Sequence, residues 1–152
     1  MNRFPSLLLV MLPLLSACEA TPSTASMELE AKIVPKIAAW SKSGGSTFNL
    51  AGEISASRYE EVCVLPEYQC LGHQMANRRV DEYHSSFGKC VPENSSALIF
   101  IKKQIAHAVV VDRATLRFDE SSDGTCVSAA SAVLRTAREP EGQPPIAVLE
   151  QQ

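Results

Sequence analysis

Four cysteines, Cys63, Cys70, Cys90 and Cys126, constrain this chain more than any other feature, because crosslinks between them decide which segments must lie side by side. Whether they crosslink depends on the compartment the chain reaches. The N-terminus bears on that question. Met1-Asn2-Arg3 is basic, Phe4 to Leu15 is an apolar run containing Pro5 and Pro13, and the small residues Ser16 and Ala17 precede Cys18. A basic start, a short apolar stretch and small residues at its end are the signature of a secretory signal. The run is about a dozen residues, short of the ~20 that a spanning helix needs, and its prolines weaken it as a helix. An exported chain meets an oxidising compartment, and the even number of cysteines left after Cys18 reads as two disulfides. A metal site is the rival, since Cys63, Cys70, Cys90 and His73 offer thiolates and an imidazole. No pair of them has the short spacing of structural zinc, and only Cys70 and His73 are close. We therefore expect disulfides, with no metal and no cofactor.

Four cysteines allow three pairings. The nested one, Cys63 with Cys126 and Cys70 with Cys90, is the expectation: the inner bridge would close an excursion at its base, and the outer would tie an early strand to the end of the domain. The local pairing of Cys63 with Cys70, across Pro66, stays open as a competitor.

Leu15-Ser16-Ala17-Cys18 resembles the bacterial lipobox. The resemblance implies diacylglycerol on the Cys18 thiol, cleavage before Cys18 and acylation of the new amino group. Several acyl chains hold a protein to a bilayer where one chain does not, each buried CH₂ contributing about 0.8 kcal/mol. Glu19 stands where an Asp would favour the inner membrane, so the expected location is the outer membrane, facing the periplasm. On this reading residues 1–17 are the signal and 18–25 the lipidated cysteine and a polar tether. Residues 26–138 are then a single domain and 139–152 a flexible tail.

Removing 17 residues from the 152 leaves 135, one domain's length. Losing Arg3 takes the formal charge of −3 to −4. A mildly acidic chain has no electrostatic basis for binding nucleic acid.

Within the domain, Ser26 is placed to cap a helix bearing Leu29, Ile33, Ile37 and Trp40 on one face, expected to pack on its own domain with a membrane-facing helix as the rival, Pro35 expected to kink or divide it and Gly44-Gly45 to end it. Thr47 to Ala51 and Tyr59 to Leu65 read as strands. Ala76, Val80, Tyr83 and Phe87 are spaced as a helix, stopped at Gly88. Leu98 to Ile101 and Ile105 to Val111 are apolar on both faces, as central strands are, and Thr115 to Phe118 alternates as a third antiparallel strand. Thr125 to Arg138 fits either a helix or a strand. The predicted fold is α+β: a small antiparallel sheet of four or five strands with one or two helices and two disulfides.

Val62 to Tyr68 together with Ala97 to Ile101 resemble segments of small, uncharacterised proteobacterial lipoproteins, in which a cysteine-bearing strand precedes an apolar hairpin. The likeness covers under half the mature chain and implies no activity. Lys102-Lys103-Gln104 departs from it, an Asp-Gly type of turn being common there.

No catalytic set stands out: there is no G-x-S-x-G, H-E-x-x-H or phosphate-binding loop. Asp119, Ser121, Asp123 and Gly124 match the start of a calcium loop, but Ala130 stands where its bidentate Glu belongs, so a polar turn is expected. His73, His84 and His107 form no visible constellation. His73 and His84, on one helix, would be about 16 Å apart; His107 lies in an apolar strand. Arg78-Arg79 and Lys102-Lys103 read as solvated charge, or as contacts to headgroups or an acidic partner. Asn94-Ser95-Ser96 matches the glycosylation triplet, which carries no weight in a bacterial envelope. These readings favour a non-enzymatic lipoprotein whose domain binds an envelope protein as an accessory module. A small envelope hydrolase and a small-ligand or metal binder are the rivals. An exposed cleft holding titratable groups would favour an enzyme; an exposed apolar patch would favour a binding module.

Overall fold

The computed structural model describes residues 22–55, 58–138 and 141–152. The expected signal, Cys18 and most of the expected tether lie outside the described residues. Among the described residues the fold is α+β, with three helices, two mixed sheets and two disulfides. Helix α1 spans Thr24–Ser43. Its cap is Ser23, whose side chain accepts from the Ser26 N–H at 3.1 Å, so the helix begins before the expected Ser26 and takes in the end of the expected tether. Its buried residues are Ser26, Leu29, Ile33, Ile37 and Trp40. Pro35 does not divide it. Ala31 and Pro35 both lie on the exposed side, where water can serve the carbonyl that proline leaves without a partner.

Five strands make the larger sheet: β2 (Glu61–Leu65), β3 (Glu82–Ser85), β4 (Ser95–Lys102), β5 (Ile105–Asp112) and β7 (Cys126–Ser128), in the order β3-β5-β4-β2-β7. β4 and β5 form the expected hairpin, and β4 is buried from Ser95 to Ile101. Lys103 turns it with φ +54°, and its N–H donates to Glu60. The smaller sheet joins β1 (Thr47–Phe48), β6 (Arg117–Phe118), β8 (Ala132–Arg138) and β9 (Ile146–Gln151) in the order β1-β8-β9-β6. β3 runs parallel to β5, and β6 parallel to β9; the other pairings are antiparallel. Two short helices, α2 (Leu50–Ile54) and α3 (Leu71–Met75), complete the fold.

The segment from Ala76 to Phe87 is not a helix. A 3-10 turn at Ala76–Arg78 leads to β3, which pairs with β5 from Glu82↔Ile105 to Ser85↔Ala108. The open edge of β5 supplies a ladder that outweighs helical spacing. Thr115 to Phe118 does not continue the β4–β5 sheet: only Arg117–Phe118 is strand, and it joins β9. Residues 139–152 are not all a loose tail, because β9 lies between β8 and β6 with Ile146, Ala147 and Leu149 buried. Thr47 to Ala51 is strand only at Thr47–Phe48. Asn49 then caps α2, which buries Leu50 and Ile54 one turn apart. Thr125 to Arg138 is strand, as β7 and β8 around a 3-10 turn.

Cys63 bonds Cys126 directly across the β2–β7 pair, and Cys70 bonds Cys90 at the base of the excursion between β2 and β4. The three cysteines of the rival metal reading, Cys63, Cys70 and Cys90, are thus engaged in disulfides. Glu61 beside Cys63 and Cys126 meets two bonded sulfurs.

Candidate functional site

One row of residues crosses the five-stranded sheet on the face toward α1. The pairings place His84 beside His107, His107 beside Phe100, Phe100 beside Val62 and Val62 beside Val127. The row is apolar over most of its length and ends in two imidazoles on β5 and β3. The His84 and His107 rings stack, with centroids 5.3 Å apart and planes at 26°. Tyr59, in the segment before β2, stands edge-on to His107 and tilts against Phe100. The histidines therefore do form a constellation: His84 and His107 meet, while His73 is exposed on α3. Their meeting depends on the parallel β3–β5 ladder, which helical spacing in residues 76–87 conceals.

A cleft of about 380 Å³ opens above this end of the row. Ala25, Glu28, Leu29 and Lys32 of α1 form one wall, Ile54 of α2 closes an end, and Arg58, Tyr59 and His107 form the rest. Arg58, Tyr59 and His107 also line an adjoining hollow of about 210 Å³, completed by Lys102 and Ile105 of the β4–β5 hairpin. Three cations, Lys32, Arg58 and Lys102, border the combined space, with Glu28 as the one acid among its described lining. None of the three cations makes an ion pair with an acid among the described residues.

Burial lowers the pKa of His107, the neighbouring His84 lowers it further, and Glu82 opposes them. His84 keeps its own carboxylate partner, with Nε2 2.8 Å from Glu82 Oε1. His107 Nδ1 is buried and has no hydrogen-bond partner among the described residues. In a neutral ring with no acceptor beside Nδ1, the proton belongs on Nε2. Burial raises the Tyr59 pKa and Arg58 counters it, so the phenol stays protonated and able to donate near neutral pH. The space thus presents cations and N–H and O–H donors around an aromatic floor, a set suited to a carboxylate or another anion.

Other sequence candidates are structural. Asp119 accepts from the Ser121 N–H at 3.1 Å and caps the 3-10 turn at Glu120–Ser122, which holds its pKa down. Ser122 is buried and accepts from the Leu149 N–H, and Gly124 adopts φ +70°, so the calcium-like residues build a turn against β9. Arg78 pairs with Glu61 at 2.6 Å. Asn94 sits at a turn where its N–H donates to Glu67, which also holds Arg113. Among the described residues no helix is long and apolar enough to cross a membrane. Comparison of the chain with protein-family models, with curated proteins and with solved structures finds no match.

Proposed function

We propose that the chain is a lipoprotein of the bacterial envelope, anchored through Cys18 to the outer membrane and facing the periplasm, and that its domain is a non-enzymatic accessory module. Its partner is an envelope protein, which enters the cleft over His107 with an acidic segment. The observation that carries this reading is the gathering of Lys32, Arg58 and Lys102 around Tyr59 and His107 in a chain whose mature formal charge is negative. A local cation cluster on an acidic domain steers an acidic segment to one place and repels it elsewhere. A cleft of about 380 Å³ also falls in the range of small-ligand sites, which supports a small anion as the second reading.

Two experiments test the halves separately. Cys18→Ala should abolish incorporation of labelled fatty acid; equal labelling of wild type and variant would refute the anchor. A photo-crosslinker placed at position 59 should capture a protein in living cells, and one at the exposed position 68 should not. Arg58→Glu should abolish that capture. Capture that is indifferent to Arg58→Glu would refute the cleft as the binding site. A small anion co-purifying with the wild type, with no protein captured, would favour the second reading.

A further inference from the structure

Helix α1 carries two apolar faces, one buried and the other only partly covered. Leu29, Ile33, Ile37 and Trp40 pack inward. Met27, Ala31, Val34, Pro35 and Ala38 are spaced to share a second face, turned away from the first. Met27 is 54% exposed, and Ala31 and Pro35 are exposed with it. A shallow groove of about 320 Å³ runs beside Met27, Ala31, Val34 and Pro35. At the far end Ala38 lines a second open groove of mixed character, with Ser41, Lys42 and Gln143 beside Pro144 and Pro145. From Met27 to Ala38 the stripe is about 16 Å long at 1.5 Å rise per residue. Met27, Ala31 and Pro35 leave an exposed apolar strip flanked by the half-buried Val34 and Ala38, and such a strip calls for an occupant.

We infer that the stripe is a bilayer-contacting face, which lays α1 along the headgroup region of the membrane that holds the chain. The inference rests on the proposed Cys18 anchor. Ser23, the cap of α1, follows Cys18 by five residues, and five residues span at most about 18 Å when fully extended. The helix therefore starts within reach of the headgroups, and Met27 lies in its first turns. Charge agrees with this placement. Glu30, an acid beside the groove, is drawn inward by the Ser86 hydroxyl and by the Val110 N–H at 3.0 Å. Lys42 stands beside Ala38 at the far end, where it can meet anionic lipid. Glu28 and Lys32 lie on the flank, so the cleft over His107 stays open to the periplasm.

Hydroxyl-radical footprinting of the whole lipidated protein in vesicles of phosphatidylethanolamine and phosphatidylglycerol tests this. Met27 should be oxidised severalfold more slowly there than in the unlipidated Cys18→Ser protein in solution. Tyr68, 63% exposed, should react equally in both. Ala31→Asp, at an exposed position, should return Met27 most of the way to its solution rate. Intact mass reports the acyl chains separately, so an unlipidated product overturns the anchor and the inference with it. A lipidated protein whose Met27 reacts as in solution overturns the inference alone. Protection that grows with protein density in the vesicle, accompanied by crosslinks between copies, assigns the stripe to a second copy and overturns it too.

Discussion

On the face of the five-stranded sheet toward α1, Val62, Val64, Leu98, Phe100, Val109 and Val111 are covered by a twenty-residue helix and by the smaller sheet. On the opposite face, Cys63, Leu65, Ala97, Ile99, Ile101, Ala106 and Ala108 are covered by α3, a 3-10 turn and irregular chain around Val80, Phe87 and Val91. The first cover brings its own hydrogen-bond ladders and large aliphatic side chains, and no crosslink lies in it. The second is a winding segment over smaller residues, and both disulfides lie on its side of the sheet. A regular cover holds by buried area. An irregular one has more chain entropy to regain on opening, and crosslinks limit that gain.

The largest effect should come from the area-held face. Phe100 is fully buried at its centre, so Phe100→Ala should cost about 3–5 kcal/mol in urea unfolding. A loss within experimental noise would mean that this face does not depend on its packed area. On the crosslinked face, Cys70→Ser combined with Cys90→Ser removes a bridge of sequence separation 20, worth about 3 kcal/mol by chain entropy. Amide exchange should then accelerate more over Leu71–Met75 than over Ile33 and Ile37 of α1. Equal acceleration in both regions would erase the distinction between the covers. A smaller effect belongs to the seam beside α1. β3 ends at Ser85, so the Val110 N–H of β5 extends past its partner strand, and Glu30 accepts from it instead. Glu30→Ala leaves that N–H without its acceptor and should cost about 1–3 kcal/mol. No measurable change would show that water replaces the carboxylate there.

The same contrast explains what could be read in advance. The inward stripe of α1 was legible because Leu29, Ile33, Ile37 and Trp40 follow helical spacing without interruption. β4 and β5 were legible because both are apolar on both faces. β3 was not, because Val80, Tyr83 and Phe87 mimic a helix while the strand's ladder partner, β5, lies more than twenty residues on in the chain. β9 was hidden behind Pro140, Gly142, Pro144 and Pro145, which read as a loose end although Ile146 to Leu149 continues as an apolar run. The cleft was least legible of all. Arg58 comes from the segment before β2 and Lys102 from the end of β4, and His84 and His107 meet only through the parallel ladder that the sequence disguises.

The smallest effect is expected where the site meets the area-held core, at His107. Its ring is flanked by Tyr59 and Arg58 from the segment before β2, by His84 and Glu82 from β3, by Lys102 from the hairpin and by Glu28 and Lys32 from α1. Burial first, and then His84, hold its pKa below the ordinary 6.5, and Glu82 only partly opposes them. In the unfolded chain His107 takes up its proton near 6.5, while in the folded chain it resists protonation until the pH is lower. Across that window the unfolded state holds more protons, so stability declines as pH falls through it. The urea midpoint of the wild type should therefore drop on acidification below 6.5, and His107→Gln, which cannot titrate, should flatten that drop. Carboxylic acids in water titrate near 4, well below this window, so its upper part reports on imidazoles. A variant whose midpoint falls as steeply as the wild type's would move the pH dependence to another group and leave His107 as packing alone.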